Sequence, residues 1–218
     1  MRKIFFLTFI LTIPLITLFS QYSYARMVLH DFEEDAQGWA IPRWSCEKND
    51  YSCKVVNISH DVASLGKGSL KLEVDFKKDS WYAAVTEVEG PFDLSKYKTI
   101  ACDVFLPEGA PEGIEARIAL SVGENWLWIE TEDPVELVPN KWVTIKAGLR
   151  SGSNDWKTVE MIERMGKDGK FRGNVKHEYN VPMTDAYRAD VRTIAVRAEA
   201  YRVDYRGPIY VDNMRVQE

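Results

Sequence analysis

The feature that most constrains the fold is a strict alternation of apolar and polar side chains in short runs. In Ser69–Phe76 every second side chain is apolar and those between are charged. The runs Thr99–Leu106 and Ile114–Val122 also place apolar residues at every second position. Because successive side chains of a β-strand point to opposite faces of a sheet, these runs predict strands with one face in a core.

Further β-type runs follow at short spacing, separated by turns that carry glycine or proline. They are Val28–Phe32, Trp81–Val88, Trp126–Thr131, Trp142–Leu149, Thr193–Val203 and Ile209–Val216. No helical segments alternate with them, which argues against a parallel α/β architecture. The sequence therefore predicts an all-β fold, a two-sheet antiparallel β-sandwich of jelly-roll type with eight or nine strands.

One segment, from Arg150 to Asp190, interrupts this series of strands. Apolar residues recur at three-residue steps from Trp156 to Met165, which predicts a short helix with Ser153 or Asn154 as its N-cap. A connection of this length either flanks a ligand cleft or is a decorated surface loop, and the sequence favours neither.

The first 25 residues have the pattern of an export signal. Positive charge in Met1–Lys3 precedes an apolar run, Ile4–Phe19, and small residues stand at Ser23 and Ala25. We predict a signal peptide over residues 1–25 and a secreted or periplasmic location. An uncleaved anchor is the alternative, but the apolar run is short for a bilayer span. Residues 26–218 are then predicted to form a single β-sandwich domain.

The net charge, and the hydropathy of the chain after its first 25 residues, argue against a nucleic acid partner and against a membrane span. The net charge is −5, and no basic tract is present. We therefore expect no nucleic acid partner, and no membrane span once the signal is cleaved.

The three cysteines suggest one bridge and one buried thiol. Cys46 and Cys53 have six residues between them in a polar stretch, and an exported chain meets an oxidising compartment, so a disulfide is predicted. A metal site is the alternative, but no second pair of cysteines or histidines has zinc-ligand spacing. Cys102 lies in an apolar alternation and is predicted to be a buried free thiol.

The run around Trp126 carries the main functional signal. If Leu127 and Ile129 face the core, then Trp126, Trp128 and Glu130 share the opposite face. The same reasoning on neighbouring strands adds outward residues, which are Arg117, Ser121, Arg197, Glu199 and Tyr201. Two tryptophans on an outer sheet face are costly unless something covers them.

This face has the chemistry that a sugar requires. Pyranose rings present apolar C–H faces that stack on indole or phenol rings. Arginine and carboxylate groups then offer planar, multidentate partners for the hydroxyls. Trp81 is a further candidate. The alternative is a salt-bridged surface whose tryptophans are covered by residues 150–190. Trp39 and Trp142 are predicted to lie in the core, and Trp44 fits either place.

The two chain ends suggest a metal. Asp31 and Glu33 lie at the first strand and Asp212 lies in the last, and terminal strands of a sandwich commonly lie together. With carbonyls from Gly66–Ser69 these carboxylates would suit Ca²⁺, whereas ordinary turn and cap carboxylates are the alternative.

Several segments, in their order along the chain, resemble carbohydrate-binding modules of the galactose-binding-like jelly-roll superfamily. They are Asp31–Glu33, Gly38–Trp39, Gly66–Leu72, Asp93–Tyr97, Ile100–Pro107, Trp142–Ile145 and Gly207–Asn213. The resemblance implies a structural Ca²⁺ at Asp31, Glu33 and Asp212 and glycan binding on the concave sheet. Such modules usually accompany a catalytic domain, and we expect none in residues 26–218, which departs from that arrangement; residues 150–190 are a second departure.

We therefore predict a non-catalytic protein that binds a polysaccharide or oligosaccharide; β-mannan, β-glucan and xylan all fit. The leading alternative is a jelly-roll glycoside hydrolase or polysaccharide lyase that uses Glu130 with Glu199 or Glu132. His30, His60 and His177 are scattered without a nucleophile motif. A third alternative is an interaction protein whose tryptophan face meets another protein.

Overall fold

The computed structural model describes residues 26–47 and 51–218, with the side chain of Asn174 excepted. The predicted signal peptide, residues 1–25, lies outside the described residues. Within the described ranges, no helix is long and apolar enough to cross a membrane.

The described chain consists of thirteen strands and two short helices. In chain order they are β1 Arg26–His30, α1 Arg43–Cys46, β2 Cys53–Ser59, β3 Ser69–Phe76, β4 Trp81–Phe92, β5 Thr99–Leu106, β6 Ile114–Val122, β7 Leu127–Thr131, β8 Val135–Glu136, β9 Lys141–Gly148, β10 Trp156–Met165, β11 Phe171–Asn180, α2 Asp185–Ala189, β12 Val191–Tyr201 and β13 Tyr205–Gln217.

These strands form two sheets. The first has the order β2-β3-β13-β5-β9, with β1 also paired to β13. The second has the order β11-β10-β7-β6-β12-β4, with β8 also paired to β6. Every strand pair in both sheets is antiparallel, so the predicted antiparallel β-sandwich is confirmed.

The core lies between the two sheets, where the alternating runs placed it. β3, β5 and β6 have the predicted bounds, and their alternate apolar side chains are buried. Leu72 of β3, Val104 of β5 and Ile118 of β6 are all 0% exposed. Each such buried side chain contributes roughly 1.5–3 kcal/mol relative to an exposed one, so the pattern that predicted the strands also stabilises their stacking.

The segment predicted to contain a helix instead forms a β-hairpin. We call β10 and β11 together the arm; its residues pair one to one from Lys157 opposite Asn180 to Glu163 opposite Asn174. β-branched residues at 158, 159 and 162 disfavour a helix, and the partner strand supplies the backbone hydrogen bonds. Only Trp156 and Lys157 pair with β7, so the rest of the arm projects beyond the sheet.

The predicted disulfide is not formed. Cys46 is an exposed free thiol at the end of α1, whereas Cys53 is a buried free thiol at the start of β2. The Cys53 Sγ donates a long hydrogen bond to the Val55 carbonyl at 3.8 Å, so this thiol turns into its own strand rather than toward Cys46. Cys102 is buried and free, as predicted.

The two tryptophans assigned to the core have different outcomes. Trp39 is 3% exposed and lies in the core, as predicted. Trp142 is only half-buried, and the prediction for it is wrong. It stands opposite Phe105 on the outer face of the first sheet, with ring centroids 5.3 Å apart, because the inward positions of β5 are the neighbours Val104 and Leu106.

Candidate functional site

The outer face of the second sheet carries a groove of about 720 Å³. Strands β4, β6, β7 and β12 form its floor, and α1 and the turn before β7 form its walls. Six aromatic residues line it, namely Trp44, Tyr51, Trp81, Tyr82, Trp126 and Trp128. The groove therefore offers several ring faces to a ligand within one connected space.

Small side chains make the floor of the groove flat enough to carry a ring. Val85, Ala119 and Ala195 form a cluster separate from the main core, and Trp128 packs against it. Ala195 lies opposite Ala119 across the sheet, and Trp128 lies opposite Ser121. As predicted from the pleat, Trp128 is on the outer face while Ile129 is fully buried.

Trp126 reaches the groove by a different route from the predicted one. β7 begins at Leu127, so Trp126 belongs to the preceding turn, where its φ is +53° and its N–H donates to the Gly123 carbonyl at 3.1 Å. The pleat argument therefore does not apply to it. The left-handed backbone nevertheless directs the indole to the groove, where it is 54% exposed.

The α1 wall contributes Trp44, which the sequence left undecided. Its ring meets that of Trp128 edge-on at 6.0 Å, and its side chain hydrogen-bonds to Glu87. Trp44 is still 45% exposed, so its ring remains accessible. Neither Trp44 nor Tyr51 lies in an alternating run, and only proximity in the fold brings them to the groove.

Trp81 lies at the β4 side of the groove. It is 50% exposed, and the Arg197 guanidinium carbon lies 5.7 Å from its ring centroid. Tyr201, predicted to bind the ligand, stands opposite Trp81 in the β4–β12 register and is exposed, but it does not line the groove.

The predicted charged ligand contacts form a buried ion network instead. Arg197 binds Glu130 through its Nη1 at 2.5 Å and Glu199 through its Nη2 at 2.7 Å. Arg117 binds Glu199 through its Nε at 2.8 Å, and its Nη1 donates to the Glu132 carbonyl at 2.6 Å. The side chains of Glu130 and Glu199 are 1% and 8% exposed. These charges therefore pair mainly with one another, although the buried Arg197 Nε has no hydrogen-bond partner.

Only one member of that network reaches the groove. Arg197 lines it, whereas Arg117, Glu130 and Glu199 do not. Three of the four predicted ligand contacts therefore lie in buried ion pairs outside the groove lining, because alternation gives the face of a side chain but not its depth. The Trp128 indole N–H, which is 3.5 Å from Glu130 Oε2, ties the aromatic floor to the network.

Two carboxylates of β4 line the groove and were missed by sequence reasoning. Glu87 is half-buried, and burial, with a smaller effect of the neighbouring Glu89 charge, raises its pKa. Ser121 and Thr193 add hydroxyls, with the Thr193 Oγ1 donating to the Ser121 Oγ at 2.9 Å. The odd-numbered residues from Trp81 to Glu89 share the outer face. The sequence does not show this alternation clearly, because two consecutive alanines, at 83 and 84, interrupt the apolar–polar pattern of β4.

The base of the arm also belongs to the site. Val159 lines the groove, and the Thr158 Oγ1 donates to the Trp128 carbonyl at 2.8 Å. Of the two roles open for residues 150–190, the structure supports the one at the cleft.

The residues predicted to bind Ca²⁺ are only partly brought together. Glu33 accepts the N–H groups of Lys67 and Gly68 at 2.9 and 3.2 Å, and Asp212 accepts those of residues 64 and 65 at 2.7 and 2.9 Å. Asp31 instead accepts from the Gln37 side chain at 3.1 Å. The described ranges contain no group of three or more His, Cys, Asp or Glu side chains placed to hold a metal ion. In this arrangement Glu33 and Asp212 hold a loop, and Ca²⁺ binding by Asp31, Glu33 and Asp212 stays a prediction.

Several solved structures of similar fold are carbohydrate-binding modules. CBM27-1 of Caldicellulosiruptor saccharolyticus, solved in complex with mannohexaose, is 20% identical, with a TM-score of 0.51 over 89% of this chain and 97% of that one. A module described as CBM28, specific for non-crystalline cellulose, is 19% identical, with a TM-score of 0.50 over 85% of this chain and 91% of that one.

The sequence comparison identifies the family. No curated protein sequence matches the chain. Residues 30–163, more than half of the chain, match the family described as mannanase, galactose-binding domain-like. The resemblance inferred from the sequence is confirmed, and the chain belongs to the family of mannanase galactose-binding-like domains.

Proposed function

We propose that this chain is an exported, non-catalytic module that binds a neutral polysaccharide by stacking sugar rings on Trp81, Trp126 and Trp128. One observation carries the proposal: these tryptophans line a single groove, two of them about half-exposed, on an otherwise well-packed sheet face. Exposed indoles so grouped are costly in water and match the apolar faces of pyranose rings.

The charge of the groove supports a neutral ligand. The charged lining residues are Arg43 and Arg197 against Glu87 and Glu89, so the formal charges cancel. These groups, with the hydroxyls of Ser121 and Thr193, offer both donors and acceptors to sugar hydroxyls. A polyanionic chain would instead call for an excess of arginine or lysine along the groove.

Among neutral polysaccharides, β-mannan is the first candidate. The family that matches the sequence is one of mannanase domains, and CBM27-1 was solved with mannohexaose. β-Glucan and xylan are the comparison ligands, because an aromatic groove by itself does not distinguish β-linked hexose and pentose chains.

A catalytic role has weaker support. Hydrolysis of a glycosidic bond needs two carboxyl groups that flank the bond. Glu130 and Glu199, the pair considered from the sequence, are buried in ion pairs with arginine. Glu87 and Glu89 do reach the groove, but they stand two residues apart on one edge strand and so approach a ligand from the same side.

Binding is tested by titrating mannohexaose into the purified protein in a calorimeter, and by electrophoresis in gels that contain soluble mannan. We expect Trp126→Ala to weaken binding by roughly tenfold or more, as loss of a central aromatic anchor does. The matched control is Phe171→Ala, which removes a ring that is 57% exposed but lies outside the groove, and its affinity should be unchanged.

Three results would contradict the proposal. Unchanged affinity in both Trp126→Ala and Trp128→Ala would remove the site assignment. Release of reducing ends or unsaturated products from any of the three polysaccharides would indicate an enzyme. Failure to bind any glycan, together with capture of a stable protein partner, would favour the interaction protein. Export is tested separately by N-terminal sequencing of the protein recovered outside the cytoplasm, which should begin at Arg26.

A further inference from the structure

The arm carries a concentration of exposed apolar side chains that glycan binding does not explain. Six of its residues are 39–58% exposed, namely Met161, Ile162, Met165, Phe171, Val175 and Tyr179. β11 is the outermost strand of the second sheet and pairs with β10 alone among the described strands. Its other edge is a row of backbone donors and acceptors that a further strand can use.

The sequence of β11 is complementary to itself when read in the opposite direction. Its regular part is the seven-residue stretch Asn174–Asn180, because a register shift interrupts the pairing next to it and Gly173 there has a φ of +105°. His177 is the centre of this stretch. One residue away on either side stand Lys176 and Glu178, and two residues away stand Val175 and Tyr179.

We propose that β11 is a homodimer edge, at which the Asn174–Asn180 stretches of two copies pair antiparallel about a two-fold axis at His177. Residues directly opposite in an antiparallel pair share a face. This register sets Lys176 of each copy opposite Glu178 of the other, and Val175 opposite Tyr179, twice each. It gives two attractive charge pairs and two apolar contacts in an isologous interface.

Neighbouring registers with the same facing lack this complementarity. A shift of one residue in the two-fold position centres the axis on Lys176 or on Glu178, and so places like charges directly opposite each other. Lys176 and Glu178 are 54% and 40% exposed, and within one chain they already form an ion pair at 2.6 Å. In the dimer each Glu178 carboxylate would therefore lie between the Lys176 of its own strand and that of the second copy. Glu178 also binds Lys157 of its own arm at 3.1 Å, which holds its carboxylate in place.

Sedimentation velocity without glycan, over a range of protein concentrations, tests the proposal independently of the glycan-binding assay. The wild type should dimerise. Lys176→Glu and Glu178→Lys should each raise the dimer dissociation constant by roughly tenfold or more, since both charge pairs become repulsive. An equimolar mixture of the two variants, and the double variant that swaps the charges, should recover association. Lys170→Glu makes the same charge change in the turn of the arm and should have no effect.

Two results would overturn the inference. If the wild-type protein stays monomeric at every concentration, the β11 edge does not pair with a second copy, and any strand that pairs with it belongs to a different protein. If the dimer dissociation constant is unchanged in both Lys176→Glu and Glu178→Lys, and circular dichroism shows an intact fold, the interface lies elsewhere.

Discussion

The ion network beneath the groove gives a sharp prediction for Glu130→Gln. The Glu130 side chain is 1% exposed and receives the Arg197 guanidinium at 2.5 and 3.1 Å, with Arg117 Nε at 4.0 Å. Removing its charge changes a network of two arginines and two glutamates into one with a net positive charge. Lys157, only 5% exposed, lies opposite on the next strand, but its charge is paired with Glu178 at 3.1 Å and does not compensate for the loss.

The expected loss of stability follows from that imbalance. Removing one partner of a buried ion pair costs about 3–5 kcal/mol, and the lower end applies because Arg197 keeps Glu199. In a domain of this size, about 3 kcal/mol corresponds to a fall in Tm of roughly 6–12 °C. Urea denaturation should give the same free-energy change from the midpoint, with the slope unchanged.

The control and the coupling measurement make this test specific. Glu89→Gln makes the same chemical change at an exposed position of another strand in the same sheet and should stay within about 0.5 kcal/mol of wild type. In a double-mutant cycle with Arg197→Met, the two losses should fall short of additivity by about 1 kcal/mol or more. A Glu130→Gln protein within about 1 kcal/mol of wild type would refute the network as a structural element.

Three further predictions concern protons, metal and thiols. Burial lowers the pKa of His30 below 6.5, so the unfolded chain binds more protons at this residue than the folded chain does. The free energy of unfolding should therefore fall as the pH decreases through 6.5. In His30→Phe, the urea midpoint should fall less over the same pH range. The resemblance predicts a structural Ca²⁺, so a chelator should lower Tm by several degrees. An unchanged Tm would mean that backbone N–H donors alone hold the carboxylates of Glu33 and Asp212. Alkylation of the native protein should label Cys46 alone, because Cys53 and Cys102 are buried and burial raises the pKa of both thiols; a protein with no labelled cysteine would restore the predicted disulfide.

The strands of the core were predictable because their pattern and their burial have the same period. A one-residue slip of β3 or β6 would turn its apolar set to the wrong face, so sequence and register agree. The arm gave no such signal, since three-residue spacing of its apolar residues fits a helix. Its structure depends on pairing between β10 and β11, a non-local interaction that spacing within β10 does not encode.

The site was predictable only where it rests on a strand. Trp128 followed from the pleat, but Trp44 and Tyr51 come from a segment without periodicity. The pleat placed the charged residues on the outer face, as the structure does. It did not indicate that their arginine and glutamate side chains pair with one another. Arg117 and Arg197 lie directly opposite each other across β6 and β12. Like charges so placed repel, and this cross-strand pairing, invisible in either strand alone, is what draws the glutamates between them.

The position of the network explains why a buried charge cluster lies under an aromatic groove. A layer of apolar side chains would be about as stable as a buried ion network, so stability alone does not account for it. The network does fix two groove side chains: Glu130 contacts the Trp128 indole N–H at 3.5 Å, and Arg197, held by two carboxylates, lies 5.7 Å from the Trp81 ring. Rings held in place before binding lose little freedom when a sugar stacks on them, and that reduced entropic cost appears directly as affinity. Under the proposed function, the charges that the sequence placed in contact with the ligand therefore act on it through the tryptophans that they orient.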